Sequence, residues 1–322
     1  MSKAVVIHHT LNTLGGETTV AIETIESLYE LGYEVEFVTV QPPDLDSISR
    51  AYGKKIHIGR IKSLLPFKLN YFGIYQRLLT MLSSSSIDLK NSDVVINTHG
   101  DALPYRISGA TTPYLLYLHF PTFLMSSKAS YASNKYRKSL FWRAYFKPYT
   151  LITQSLAMRA MTRSSLVLTN SAFSREAIRE AFADVHAYVL YPPVDTERFS
   201  HAYSQTINAR EAKVLVVARF SPEKQIENAI KVAHLLGGSI IKFHIVGSLA
   251  PANRPYFKML QNLIERYGLT QTTVTLTPNA SNEELIDAMS KSVIYFHTMI
   301  GEHFGVSIVE AMAAGLVPIV PA

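Results

Sequence analysis

The sequence predicts an α/β protein of two halves, each built on a parallel sheet covered on both faces. Three observations lead there. Short apolar runs alternate with longer amphipathic segments from end to end, the pattern of strand-helix-strand units. The alternation breaks once, at Tyr191-Pro192-Pro193-Val194-Asp195, where two prolines can continue neither a ladder nor a helix. Finally, 322 residues that are 48% hydrophobic suffice for two cores rather than one. The hinge is therefore placed at the double proline, dividing the chain into domains 1–191 and 192–322.

In the first half, Lys3 to His9, Glu34 to Val40, Lys55 to Ile58, Asp93 to Thr98, Tyr114 to His119, Ser165 to Thr169 and Ala187 to Tyr191 read as strands. Each is short and apolar. Thr18 to Leu31 and Ser171 to Phe182 carry helical periodicity between them. In the second half the strands are Lys213 to Arg219, Ile240 to Val246, Thr273 to Leu276, Ser292 to His297 and Val317 to Val320. Lys224 to Leu236, Asn282 to Ser290 and Val306 to Ala314 read as helices, the last closed by Gly315. The low-complexity run Ser83 to Ser86 reads as a helix-end loop, and there is no internal repeat beyond the two-half pattern.

Composition narrows the class. The formal net charge of +6 favours anionic partners without naming one. Cysteine is absent, which excludes disulfides and thiolate zinc sites. No apolar run is long enough to cross a bilayer, and Met1-Ser2-Lys3 leads straight into the first strand without a signal-peptide pattern. A cytoplasmic location is expected.

The densest chemistry lies in Gly301-Glu302-His303-Phe304-Gly305-Val306-Ser307-Ile308-Val309-Glu310-Ala311-Met312-Ala313-Ala314-Gly315. A buried strand, a glycine loop and a helix start follow one another there. Such a helix offers an anion its free N–H groups and the positive end of its dipole. Glu302 in the loop and Glu310 about one turn inside the helix would repel a phosphate, so hydroxyl groups are their natural partners. A nucleotide-sugar has hydroxyls at both ends and a diphosphate between them.

This segment resembles the donor-site motif of retaining GT-B glycosyltransferases of family 4, and within them the dolichyl-diphosphooligosaccharide α-1,2-mannosyltransferase branch. The resemblance implies a GT-B fold: two Rossmann-like domains facing a cleft, the first for acceptor and the second for donor. It implies transfer of a hexose, mannose from GDP-mannose, to a glycan or lipid-linked glycan with retention. Glu302 would hold hydroxyls of the transferred sugar and Glu310 the ribose, while the amides at Gly305 and Val306 would lie near sugar and diphosphate. The family pattern continues past Val320 with a glycine-rich loop, a strand and returning helices. The second domain is therefore expected to be incomplete, and the alternative function is a nucleotide-sugar-binding fragment without turnover. A dinucleotide-dependent oxidoreductase is disfavoured, since G-x-G-x-x-G is absent.

Other segments fit the same family. In Arg219-Phe220-Ser221-Pro222-Glu223-Lys224, a lysine in the first turn of a helix sits against the positive dipole end unless an anion compensates it. The family's G-R-x-x-x-x-K segment uses this Arg and Lys on the donor diphosphate; here Ala218 replaces its glycine. Tyr117-Leu118-His119-Phe120-Pro121 resembles the family's Y-V-H-Y-P segment, whose histidine lies near the transferred sugar, so His119 joins Glu302 as a catalytic candidate. His99 is a second strand-end histidine. Gly15-Gly16 after the first strand is either a tight turn or a cleft loop approaching phosphate or acceptor.

Asp44-Leu45-Asp46 matches the D-x-D pattern of metal-dependent transferases, but short acidic loops are common solvated turns. No metal or other cofactor is expected, because Arg219, Lys224 and the helix terminus at Val306 supply the charge. The basic and aromatic stretch Lys135 to Lys147 reads either as a half-buried helix or as an interfacial one. In the second case Arg137, Lys138, Trp142 and Arg143 would meet an anionic membrane surface. No nucleic-acid partner is expected.

Overall fold

The computed structural model describes residues 2–12, 15–52, 55–63, 91–99, 112–121, 140–206, 210–237, 241–270 and 272–321. The chain divides into two compact units, Met1–Pro193 and Val194–Ala322.

The first unit is a seven-stranded sheet: β1 (Lys3–His8), β2 (Glu34–Thr39), β3 (Arg60–Ser63), β4 (Val94–Asn97), β5 (Tyr114–Leu118), β6 (Leu166–Thr169) and β7 (Ala187–Val189). The order is β3-β2-β1-β4-β5-β6-β7, and every pairing is parallel. Alternate residues of β1 serve opposite faces. Ala4 and Val6 join Phe37, Ile22 and Ile25 on one side, while Val5 and Ile7 join Leu116, Met161 and Ile178 on the other. A strand buried on both faces reads as a continuous apolar run, which is why β1 is legible in sequence. Its helices are α1 (Gly16–Glu30), α2 (Leu45–Tyr52), α3 (Leu140–Arg163) and α4 (Ala172–Ala181). The Ser171 hydroxyl caps α4 by accepting from the Ser174 amide at 3.0 Å.

The second unit has five parallel strands in the order β10-β9-β8-β11-β12: β8 (Lys213–Val217), β9 (Lys242–Gly247), β10 (Val274–Pro278), β11 (Ile294–Phe296) and β12 (Val317–Ile319). Its helices are α5 (Thr196–Thr206), α6 (Glu227–Leu235), α7 (Arg254–Arg266), α8 (Asn282–Lys291) and α9 (Val306–Ala313). Val214 and Val216 pack towards α6 and α7, Leu215 towards α5, α8 and α9. Ser281 and Glu284 form a reciprocal capping box on α8. At the end of β9 a Cβ on Gly247 would lie 1.7 Å from the Ala218 carbonyl oxygen, so only glycine permits that approach of two strand ends.

Both sheets reverse direction of growth once, between β1 and β4 and between β8 and β11. The crevice outside the carboxyl ends of two such strands is where open α/β sheets bind ligands.

Two expectations need correction. Lys55 to Ile58 is not a strand; β3 lies further on, at Arg60–Ser63. The Glu26 carboxylate accepts from the His57 amide at 2.7 Å and lies 2.9 Å from its ring nitrogen, so the ladder with β2 begins only beyond it. The helix expected from Lys224 begins at Glu227. Pro222–Lys224 is a separate 3₁₀ turn, closed by Gln225 in the left-handed region at φ 50°. Of the basic and aromatic stretch, residues 140–147 open α3, which runs on to Arg163. Its buried residues Tyr149, Thr153, Ala157, Ala160 and Met161 form one helical stripe.

Candidate functional site

In the second unit the switch point brings the ends of β8 and β11 and the start of α9 together around Glu302. The turn Pro222–Lys224 carries Lys224 there, and the Thr298 hydroxyl anchors it by donating to the Lys224 carbonyl. The Lys224 ammonium donates to Glu302 Oε2 at 2.9 Å and touches Met299 Sδ at 3.1 Å. The expected dipole conflict at Lys224 does not arise, because the lysine precedes α6 and its charge is met by Glu302. Arg219 does not join it. Its side chain is 63% exposed, with Nη2 3.6 Å from Glu223 Oε1.

Glu302 is surrounded. Its Oε1 accepts from the His303 amide at 3.2 Å. On the other side His297 Nε2 lies 3.2 Å from Oε2, but is not aligned for a hydrogen bond there. Burial by itself would push the Glu302 carboxyl up. The His297 imidazole and the Lys224 ammonium outweigh it and hold the group well below the usual carboxylate range.

Helix α9 follows directly. Gly305, its N-cap, is in the left-handed region at φ 85°, and a Cβ there would come within 2.5 Å of Ile308 Cδ1 and 3.4 Å of Glu302 Cγ. The Ile308 and Val309 amides both turn to the Gly305 carbonyl, at 2.9 and 3.3 Å. The amides of Val306 and Ser307 precede the first intrahelical bond and are the helix's anion-facing donors. Glu310, one turn further, is half-buried. Burial raises its carboxyl above the usual value, Arg198 pulls it down and Asp195 pushes it up. The structure thus places Lys224, Glu302, Gly305, Val306 and Glu310 around one helix start.

Sequence reasoning missed His297, reading it only as the end of a strand. It is 4% exposed. Its Nδ1 is 3.5 Å from Tyr295 Oη, which is 2.7 Å from Ser307 Oγ in the first turn of α9. A histidine closing the strand five positions before Glu302 was the available signal.

The first unit gathers histidines at its own switch point. His8 ends β1, while His99 and His119 follow β4 and β5, the next strands in the sheet. His8 Nδ1 lies 2.9 Å and His119 Nε2 3.4 Å from the same Thr98 carbonyl. His9 stands 4.9 Å from His99, ring to ring. Burial first, and then His99 and His119, keep the His8 imidazole well below its ordinary pKa. His8 and His9 carried no role in the sequence reading; only the sheet order brings them to His99 and His119.

Gly15, the N-cap of α1, is extended at φ 163°, and a Cβ there would meet nothing within 4 Å. Neither conformation nor crowding calls for glycine at 15. Gly16 is the first residue of α1. Asp44 caps α2, accepting from the Ser47 amide at 3.1 Å, and Asp46 lies in that helix's first turn. Among the described residues no group of three or more histidine or carboxylate ligands is placed to hold a metal. Of the expected membrane contacts, Arg137 and Lys138 lie outside the described residues, and Trp142 and Arg143 fall in the first turn of α3. Among the described residues no helix is long and apolar enough to cross a membrane.

Comparison with known proteins gives a consistent result. A Glycosyltransferase Family 4 model matches residues 14–198, more than half of the chain, and a Glycosyl transferases group 1 model matches residues 167–322. The chain is 26% identical over 243 residues to the GDP-Man:Man(3)GlcNAc(2)-PP-Dol alpha-1,2-mannosyltransferase of Dictyostelium discoideum, an alignment covering 66% of this chain and 46% of that protein. It is 31% identical over 164 residues to the mouse (Mus musculus) protein of the same name, covering 48% and 33%. The chain spans about half the length, or less, of these curated relatives. Solved structures share its fold, among them two at 16% identity. Sucrose-phosphate synthase from Thermosynechococcus elongatus has a TM-score of 0.74, covering 99% of this chain and 81% of its own. A glycosyltransferase from Rickettsia africae ESF-5 has 0.64, covering 99% and 79%.

Proposed function

The chain belongs to glycosyltransferase family 4, and from that premise we propose that it transfers a hexose, with retention, from a nucleotide-sugar to a glycan or lipid-linked glycan. Mannose from GDP-mannose is the favoured donor, in keeping with the named activity of the relatives. The observation that carries the proposal is the constellation at α9. A carboxylate kept ionised by Lys224 and His297 lies beside a glycine-capped helix terminus, with a second carboxylate one turn further on.

The chemistry follows from charge. A sugar hydroxyl donates to the ionised Glu302, and the ribose hydroxyls to Glu310. The diphosphate between them takes the Val306 and Ser307 amides, the Lys224 ammonium and the exposed Arg219 guanidinium. As the bond from the anomeric carbon to the diphosphate breaks, negative charge grows on the leaving oxygen, and these fixed donors stabilise it. No metal is required by this design. His119 orients the sugar or the acceptor, and the open space at Gly15 admits a phosphate or acceptor group. The enzyme acts at a cytoplasmic membrane face, without a nucleic-acid partner.

Thermal shift against GDP-, UDP- and ADP-sugars tests the donor assignment, since a ligand that binds only the folded state raises its stability. GDP-mannose is expected to give the largest shift. Glu310→Ala should lose affinity for both GDP and GDP-mannose, whereas Glu302→Ala should spare GDP. A melting curve moved by no nucleotide-sugar would sink the assignment. Binding without transfer or donor hydrolysis would favour a binding fragment, and activity abolished by EDTA and restored by Mn²⁺ would return a role to Asp44 and Asp46.

A further inference from the structure

We propose that His297 is a positioning residue for Glu302, poised to take over its carboxylate when the donor diphosphate draws Lys224 away; this rests on the donor-site assignment above. Oε2 of Glu302 faces two nitrogen groups at once. Lys224 Nζ holds it with a hydrogen bond at 2.9 Å. His297 Nε2 stands at 3.2 Å from the same atom without a hydrogen bond of its own. Oε1 is occupied separately by the His303 amide.

A diphosphate competes well for an ammonium, carrying more charge than a carboxylate and more acceptor oxygens. Once Lys224 turns to it, Glu302 loses the partner of Oε2. A half-buried carboxylate that loses its ammonium is more easily protonated and less firmly held, and either change weakens the acceptor that a sugar hydroxyl needs. His297 is placed to prevent this. Small rotations of carboxylate and ring bring Nε2–H into line with Oε2 once the ammonium has left.

The imidazole is held for that purpose from its far side. Its Nδ1 faces Tyr295 Oη at 3.5 Å, and the two rings lie nearly parallel at 24°. Tyr295 Oη is tied in turn to Ser307 Oγ at 2.7 Å and reaches the Val217 carbonyl at 3.3 Å. A chain of polar contacts therefore runs from the first turn of α9, where the diphosphate is expected, through Tyr295 and His297 to Glu302. Tyr295 is fully buried and His297 nearly so, so solvent does not substitute for either.

The test compares GDP with GDP-mannose by calorimetry on the wild type, His297→Leu and His297→Gln, substituting the UDP or ADP pair if the thermal screen selects it. His297→Leu should keep its GDP affinity within about twofold and bind GDP-mannose about tenfold more weakly, the size of one lost hydrogen bond. His297→Gln keeps an N–H donor and should recover most of that loss. Nitrogen-15 NMR of the wild-type ring gives a readout that needs no variant: adding GDP should shift the His297 Nε2 signal towards that of a hydrogen-bonded donor. Unchanged ring signals on GDP binding overturn the proposal. So do equal losses for GDP and GDP-mannose in His297→Leu, which mark a merely structural histidine, and so does a leucine variant that matches the wild type on both. A wild type that binds neither ligand of any pair removes the donor assignment and this inference with it.

Discussion

Glu302 and His8 respond to acid in separate pH windows, because one is a carboxylate held ionised and the other an imidazole held neutral. His8 has a folded pKa below its unfolded value of 6.5. As pH falls through that value the unfolded chain takes up a proton that the folded chain refuses, so stability falls with acidification. His244, lowered by burial and then by Lys213, adds to the same leg. The depressed Glu302 contributes stability that is present above its unfolded value of 4.5 and is lost as pH drops below it. Urea unfolding at pH 7.5, 5.5 and 4.0 should show two successive losses. His8→Asn should flatten the first and Glu302→Gln the second; an unchanged profile in His8→Asn would remove its share. His8 and Glu302 differ in legibility. Glu302 stood out within a contiguous motif, whereas His8 matters through Thr98, His99 and His119, all about ninety or more positions away in sequence.

At the scale of elements, α9 depends on how it ends as much as on how it begins. Gly315 follows the helix at φ 75°, and a Cβ there would lie 2.2 Å from Cδ2 of Tyr203. Arg210, whose guanidinium lies over that ring at 5.7 Å, donates to the carbonyls of Ala314, Gly315 and Ser292. A cation there satisfies the last carbonyls and the negative end of the dipole. Gly315→Ala should therefore cost about 2–4 kcal/mol, summing left-handed strain and overpacking. Tyr203→Ala should recover the overpacking part, so a double-mutant cycle by urea unfolding should show strong coupling. Full additivity would place the cost in the backbone alone. The sequence closed this helix at Gly315 correctly, on a general rule for helix ends. That α5 supplies Tyr203 to pack against it was not legible, because α5 and α9 meet only in the folded unit.

For the whole molecule, charge is the property that reaches furthest. A formal net charge of +6 and a basic, aromatic stretch leading into α3 favour an anionic surface. Tyr149, Thr153, Ala157, Ala160 and Met161 of α3 are buried, while Leu151, Ile152 and Met158 are exposed. The later part of α3 is thus a core helix with an apolar outer edge. Vesicles rich in anionic lipid should bind the protein and neutral ones should not, at about 1 kcal/mol per cation near the surface. Salt should weaken the binding, and fluorescence from Trp142, the only tryptophan, should shift to the blue. Co-sedimentation of a variant neutralised at Arg137, Lys138 and Arg143 as efficient as that of the parent would leave the stretch a plain core helix.

The sequence by itself determined the α/β class, most strand positions and the family. Strand and helix periodicity are local properties, and the segment from Glu302 to Gly315 keeps its chemistry within one loop and one helix. Tertiary structure alone decided who partners whom. Lys224 meets Glu302 across 78 positions, and Arg219, read as its companion, turns outward beside Glu223. Strand order brings His8 and His119 to one carbonyl, that of Thr98, with His99 beside them, and His297 gains a role only because β11 ends beside the loop that carries Glu302. Such partnerships follow from parallel crossovers that join distant segments edge to edge, and no local pattern records which ends will meet.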